Sequence, residues 1–400
     1  RSQTRPQRRE PGDVGLVYDR CRPGGSLMKG GKLLTTVVAP LIALIISFGI
    51  ASLVLLLVDI DPFFAYSEMW KFGTTTESLI SMVNRAIPLF VSALAVAVGF
   101  KMGLFNIGVE GAYLLAALVA AWVGALFSVT PVLHVSIILI VAMSVGAAWN
   151  GFAGWLKVKR GVHEVISTIM LNFIGFSLSA YLFLNFFQEG TGSLITATKL
   201  IPETGWIPSL NPVLEWFGVE PRAGFELHGF LVIAVFLGIF YYYLVSRSRF
   251  GYELRASGIN ASAAHASGIN PKRMIMTTML ISGAIAGLVG MSTLLGFTHR
   301  YVQDFPSGFG FAGIAVALLG RNNPVGIAFG ALLFGFMERS SLILDLKDVP
   351  REIVTIFQGV VVLAVVIVYE VVSRYAQRRA VAAAARATAE QEDDREVVAI

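Results

Sequence analysis

A single cysteine, Cys21, stands in a chain of 400 residues, so neither an intrachain disulfide nor a cysteine-based metal site can form. Charge is also scarce. Asp, Glu, Lys and Arg make up 14% of the sequence, against roughly 25% in soluble globular domains. The 5 histidines are scattered. His163-Glu164 has no second histidine four residues after the first, which excludes the zincin spacing. His134, alone in an apolar run, reads as a hydrogen-bonded core residue rather than a ligand. Gly30-Gly31-Lys32 lacks the upstream glycine and the following hydroxyl residue of a phosphate-binding loop, and no Gly-x-Ser-x-Gly elbow occurs. These absences exclude a nucleotide hydrolase, a zinc peptidase and a serine hydrolase.

What is present is apolar. Hydrophobic residues account for 55% of the chain without its 40 glycines, and the mean hydropathy is +0.70. A soluble fold of this size cannot hide that much apolar surface, so lipid is the solvent for most of it. The reading is an all-α, polytopic membrane helical bundle. A span needs about 20 apolar residues. Segments 33–58, 132–154, 165–187 and 274–297 meet this plainly, with 229–245 and 353–372 close behind. Ile87–Phe127 and Gly308–Leu344 are each too long for one helix and are interrupted by polar residues, so each reads as two spans or as broken helices. The expectation is about ten spans in two pseudo-repeated halves, with eight spans plus re-entrant segments as the alternative. No secretory signal is expected, because 33–58 is too long for an h-region and no small-residue cleavage site follows.

With the N-terminus inside, 23 of the 31 Lys and Arg fall on the cytoplasmic side and 8 outside, as the positive-inside rule requires. Both termini are then cytoplasmic. The organisation is a basic tail, 1–32, a transmembrane domain, 33–372, and a second cytoplasmic tail, 373–400. Within the domain, 188–228 is an outer loop and 246–273 a cytoplasmic one. Net charge of +5 reflects those basic loops and not a nucleic-acid partner.

Three stretches carry the functional reading. In Lys101–Gly111, Gly103, Gly108 and Gly111 weaken a helix, while Asn106 and Glu110 are polar and four residues apart, on one face if the helix persists. They make either a helix–helix hydrogen bond or part of a wet path, because unwound backbone in a membrane is tolerated only where protein or a cavity receives it. Gly308–Pro324 repeats the pattern in the second half, with Phe309 and Phe311 among its glycines. Broken segments in corresponding places of two halves point to a translocation path. Third, in the loop 246–273, Asn260 is an N-cap, Ala261–Ser267 a two-turn helix and Gly268 its stop, with Asn270-Pro271 opening the next span. Such a helix, covered with small residues, suits docking in another protein's groove; the alternative is a structured linker. Glu110 is the one acid deep in an apolar segment, too few for ion coupling, and no channel filter is visible. Energy is therefore expected from outside the polypeptide.

Lys101–Gly111, Leu156–Asn172, Arg255–Asn270 and Gly308–Gly326, four ordered blocks between about 85 and 340, resemble the permease subunits of ABC importers, in the branch for simple sugars and nucleosides related to branched-chain amino-acid permeases. The resemblance implies a chain that is not itself an enzyme, binds no cofactor, and works in the cell membrane with two ATPase subunits that use ATP. A second permease, identical or homologous, and an extracytoplasmic solute-binding protein complete the implied assembly. It also implies that Glu253–Ile269 is the segment contacting the ATPase, with Glu253, Arg255, Asn260, Ala263, Ala264 and Gly268 as its coupling residues. Asn106, Glu110, Asn172, Phe309 and Phe311 are the candidates for the substrate path. A secondary carrier or facilitator acting alone is the competing reading.

Overall fold

The computed structural model describes residues 39–57, 59–189, 196–347 and, in pieces, 354–375. The tail 1–32, and all of 373–400 but residues 374 and 375, lie outside the described residues. The chain divides into two compact units. Residues 1–53 and 363–400 form one, whose described part is helical. Residues 54–362 form the other and hold the junction, the loops and the cavity described below.

The main helices among the described residues are α1 (Ala39–Leu57), α2 (Pro62–Gly73), α3 (Thr76–Lys101), α4 (Val109–Gly124), α5 (Pro131–Arg160), α6 (Glu164–Leu182), α7 (Phe230–Tyr242), α8 (Arg249–Ile259), α9 (Ala261–Ala266), α10 (Pro271–Gly287), α11 (Phe309–Leu319) and α12 (Pro324–Ser340), with short helices at Asn211–Trp216 and Leu342–Asp345 besides. Short π-helical turns extend α6 to Phe187 and α7 to Arg247, and α10 runs on in broken form to Thr298. Among the described residues the only β pairing is two isolated bridges. Among the described residues, six helices are long and apolar enough to cross a membrane, those starting at Thr76, Pro131, Glu164, Phe230, Pro271 and Pro324. A seventh is added if Ile45–Leu57 and Pro62–Gly73 form one broken span. The helical membrane bundle expected from composition is therefore present; the described residues show six or seven of the ten expected spans, and the expected span 353–372 lies partly outside them. Two of the remaining segments differ from a full span for a local reason. The two regions too long for one helix do break, but α4 and α11, 16 and 11 residues long, fall short of the roughly 20 a span requires.

Helix α3 is the hub. Its residues from Ala86 to Gly99, Phe90 excepted, are buried, although the sequence there is almost continuously apolar and offers no polar face. Helices α5 and α10 cross so closely that side chains are excluded. A Cβ on Gly146 would lie 2.2 Å from the Gly283 carbonyl oxygen, and one on Gly287 would lie 2.0 Å from that of Ala142. The small-residue run Gly283–Gly290 is thus a packing surface, as close approach of membrane helices requires.

One end of the bundle gathers the basic loops. Gly258, at the end of α8, packs on Lys101 and Met102, and the hydroxyl of Tyr241 donates to the Asn322 carbonyl at 3.0 Å. The opposite end is roofed by the segment 196–229. His134 fixes it from below: its Nε2 donates to the Gly124 carbonyl at 2.9 Å, and its Nδ1 meets Thr204 Oγ1 at 2.8 Å. It is the bonded core histidine that the sequence suggests. Trp206 stacks on His299 at 3.9 Å. Asn84 holds the far side, donating to the Glu226 carbonyl at 2.6 Å and accepting from the His228 amide at 2.9 Å.

Burial, with His299 nearby, pushes the His228 imidazole down to about 4. Its ordinary value lies near 6.5, so between these limits the unfolded chain binds more protons than the native one, and stability rises with pH. The melting temperature in detergent should therefore fall as pH is lowered from about 7 to about 4.5, and His228→Gln should flatten that dependence. An unchanged slope would assign it to other groups.

Candidate functional site

The two breaks meet in the middle of the bundle. After Lys101 the chain turns at Gly103, whose φ is +73°. Residues 104–107 then run back into the protein as irregular backbone, and α4 starts at Val109. From the other end, residues 299–308 descend past Ala117 and Gly290, where Phe305 packs. They turn at Gly308, with φ of +96°, and start α11. A Cβ on Gly313 would lie 2.0 Å from Ser92 Oγ. At 1.5 Å per residue, Ser92 sits about 24 Å from the first residue of α3 and about 14 Å from its last. The N-termini of α4 and α11 therefore face each other near mid-depth.

Glu110 joins them. Its carboxyl oxygens accept from the Gly308 amide at 2.5 Å, the Gly310 amide at 2.6 Å and the Tyr113 hydroxyl at 3.0 Å. That hydroxyl also lies 3.0 Å from the Pro306 carbonyl. The residue is 1% exposed. Helix α11 has no capping side chain of its own, so Glu110, from the first turn of α4, supplies the cap in trans. The two free amides at a helix start favour such an acceptor.

Asn106 and Asn172 do the same for the irregular backbone. Asn106 accepts from the Gly108 amide and donates to Ser282 Oγ, both at 2.9 Å. Ser282 in turn donates to the Ala95 carbonyl at 2.6 Å. Asn172, on α6, accepts from the Gly111 amide and donates to the Ile107 carbonyl, both at 2.9 Å, and so clamps both sides of the break. The helix does not persist between Asn106 and Glu110, so the shared face that its persistence would have given is absent: the unwound backbone puts Asn106 against α10 and Glu110 against α11. Phe309 is half-buried, 6.2 Å from the Tyr113 ring, and Phe311 is 50% exposed on the bundle surface. Asn106, Glu110, Asn172 and Phe309 are thus gathered about the junction, and Phe311 faces outward.

Sequence reasoning missed Tyr113, Ser92, Ser282 and Asn150. Tyr113 was within reach, because it lies three residues after Glu110 on the same helix. Asn150, fully buried with no partner for its amide among the described residues, sits 2.7 Å from the position a Gly108 Cβ would take. Only the tertiary structure brings it there.

At the basic end, α8, α9 and α10 follow one another with caps at each joint. Ser248 accepts from the Gly251 amide, Asn260 from the Ala263 amide at 3.0 Å and Asn270 from the Arg273 amide at 3.2 Å. Gly268 closes α9 with φ of +82°. The helix and its stop fall where the sequence places them. Ala264 is buried, whereas Ala261, Ser262, Ala263, His265, Ala266 and Ser267 are exposed. Glu253 pairs with Arg249 at 2.8 Å, and Arg255 donates to the Val245 carbonyl, tying α8 to the end of α7. No group of three or more metal-ligating side chains is found among the described residues.

The junction tolerates little change. A Cβ on Gly310 would lie 2.6 Å from the Glu110 amide nitrogen and 2.8 Å from its Cα. Gly310→Val should therefore lower the melting temperature sharply, by the overpacking cost of roughly 1–3 kcal/mol or more. Glu110→Leu leaves the Gly308 and Gly310 amides unpaired, at roughly 1–3 kcal/mol for each. Thermal unfolding in detergent checks both, and a Glu110→Leu protein as stable as the wild type would contradict the capping role.

Residues 78–366 match the family described as the permease component of the branched-chain amino acid transport system. The chain is 35% identical to the guanosine ABC transporter permease protein NupP of Bacillus subtilis, over 85% of this chain and 96% of that one. It is 31% identical to the glucose ABC transporter permease protein TsgB13 of Haloferax volcanii, over 81% and 85%. Identity to the nucleoside ABC transporter permease protein NupB of Lactococcus lactis is 30%, over 82% and 89%. No solved structure matches the chain. With its helical bundle, its broken central helices and a family match over most of its length, this chain belongs to the multi-pass membrane permeases of the branched-chain amino acid transport family.

Proposed function

We propose that the chain is the transmembrane permease of an ATP-driven importer that carries an uncharged nucleoside or a simple sugar across the cell membrane. The similarity to permeases named for guanosine, nucleosides and glucose, along almost the whole of each, carries this reading. In it, the basic end and both termini face the cytoplasm, and the roofed end faces outward, in keeping with the cation split. Two ATPase subunits supply the energy by using ATP, a second permease completes the pathway, and a solute-binding protein delivers the solute. This chain itself binds no cofactor, meets no nucleic acid and touches lipid along its outer helices. The finer topology of ten apolar segments in two related halves is part of the same proposal. It is supported by α4 and α11, which both start at mid-depth and run to opposite ends.

Helix α9 is where the ATPase would act. It is short, capped at its start by Asn260, and covered by small exposed residues that let a groove close on its backbone. Asn106, Glu110, Asn172 and Phe309 would shape the path as the joint between α4 and α11, which moves when α8–α10 are displaced, whereas Phe311, on the bundle surface, would lie outside that joint. A lone ion-coupled carrier fits less well, because the oxygens of Glu110 are already engaged by protein donors.

Two experiments test this. A cysteine at the exposed Ser262 in a Cys21-free background should react with a membrane-impermeant thiol reagent only after the cells are opened; labelling of intact cells would invert the orientation. Gly268 has open space around a would-be Cβ, so Gly268→Val should act through its positive φ alone, at a local cost of about 1–2 kcal/mol. The variant should insert and assemble normally yet lose stimulated ATP hydrolysis and transport. Transport by the full chain without any ATPase would sink the importer reading.

A further inference from the structure

The roofed end carries a cavity of about 440 Å³ that the mechanism above does not use. It lies where the start of α3, the strap 224–228 and the end of the α10 segment meet, lined among others by Asn84, Phe225, Glu226, His228, Phe297 and His299. Sites for small organic ligands commonly fall between about 300 and 1,000 Å³. The walls are fixed in advance of any ligand. Asn84 pins the strap through both of its amide atoms, His228 Nδ1 meets the buried Ser292 hydroxyl at 3.1 Å, and His299 is stacked on Trp206.

The chemistry of the lining is selective. Phe297 offers a flat apolar surface, its ring 6.1 Å from that of His228 at an interplanar angle of 24°, and Phe225 adds a second ring, backed by Arg339. Glu226 provides an acceptor for hydroxyl groups, and the Nε2 of His228 is left as a second polar atom on its ring. No Lys or Arg lines the cavity. The Arg339 guanidinium lies 5.8 Å from the Phe225 ring behind that wall, so Glu226 is the one charged side chain on the lining itself and disfavours an anionic solute there. An aromatic wall paired with a hydroxyl-binding carboxylate matches a solute that has a planar ring and a hydroxylated ring in one molecule.

We propose that this cavity is a receiving site for a nucleoside at the outer mouth of the permease, with the base against Phe297 and the ribose hydroxyls toward Glu226. The inference rests on the nucleoside branch of the function proposed above. A nucleoside released at that end would be held beside α3 and the α10 segment before the central junction opens.

Binding of tritiated guanosine to the full chain in lipid nanodiscs tests this. Saturable binding is expected, displaced by adenosine but not by glucose or inorganic phosphate. Phe297 is 69% exposed and Glu226 lies at the surface, so Phe297→Leu and Glu226→Gln should leave the fold intact and weaken binding roughly tenfold or more. Absence of saturable binding, equal displacement by glucose, or wild-type affinity in both variants overturns the receiving site. Nucleoside uptake by the fully assembled importer separates the two ideas. If uptake proceeds while binding fails these criteria, only the receiving site falls. If the importer moves no nucleoside, the functional reading falls on its own account.

Discussion

The fold turns on one carboxyl group placed where two helices begin. A membrane-embedded chain cannot leave backbone amides unpaired, and α4 and α11 both start inside the protein, away from water. Glu110 answers for the second of them with two backbone contacts of 2.5 and 2.6 Å, while Asn106 and Asn172 answer for the first. Each side chain sits on a different element from at least one of the groups it satisfies. The junction therefore exists only when α3, α4, α6, α10 and α11 are all in place, which makes it a cooperative feature rather than a sum of local caps.

Close packing makes that arrangement possible. Where Gly146 meets Gly283, and where Gly310 and Gly313 meet Glu110 and Ser92, backbones approach to distances that no Cβ could share. In lipid there is little hydrophobic gain in bringing apolar helices together, so contact area and interhelical hydrogen bonds have to supply it. Glycine provides both, by admitting the neighbouring helix and by exposing its own amide. A joint held this way is stiff within one arrangement and has few soft intermediates, which suits a part that switches between two states.

The ends of the molecule are built differently. At the basic end, three helices joined by side-chain caps present a small, smooth, exposed surface on α9. At the other end an irregular segment is held down by His134, Asn84 and the stack of Trp206 on His299. In the proposed importer the first end would receive the ATPase, while the second covers a cavity.

The sequence by itself determined the solvent, the class and the local punctuation. Its composition required a helical bundle in lipid, and the glycines at 103, 108 and 308 marked the breaks. Asn260, Gly268 and Asn270-Pro271 set the limits of α9 and α10, because caps and positive φ act within four residues and need no distant partner. Only the tertiary structure decided that α4 and α11 stop short of a full crossing. It alone separated Asn106 from Glu110, and it set Tyr113, Ser282 and Asn150 around the junction. Those outcomes depend on residues up to 200 positions apart, and a periodicity measured along the chain carries no record of which distant amide a buried oxygen will meet.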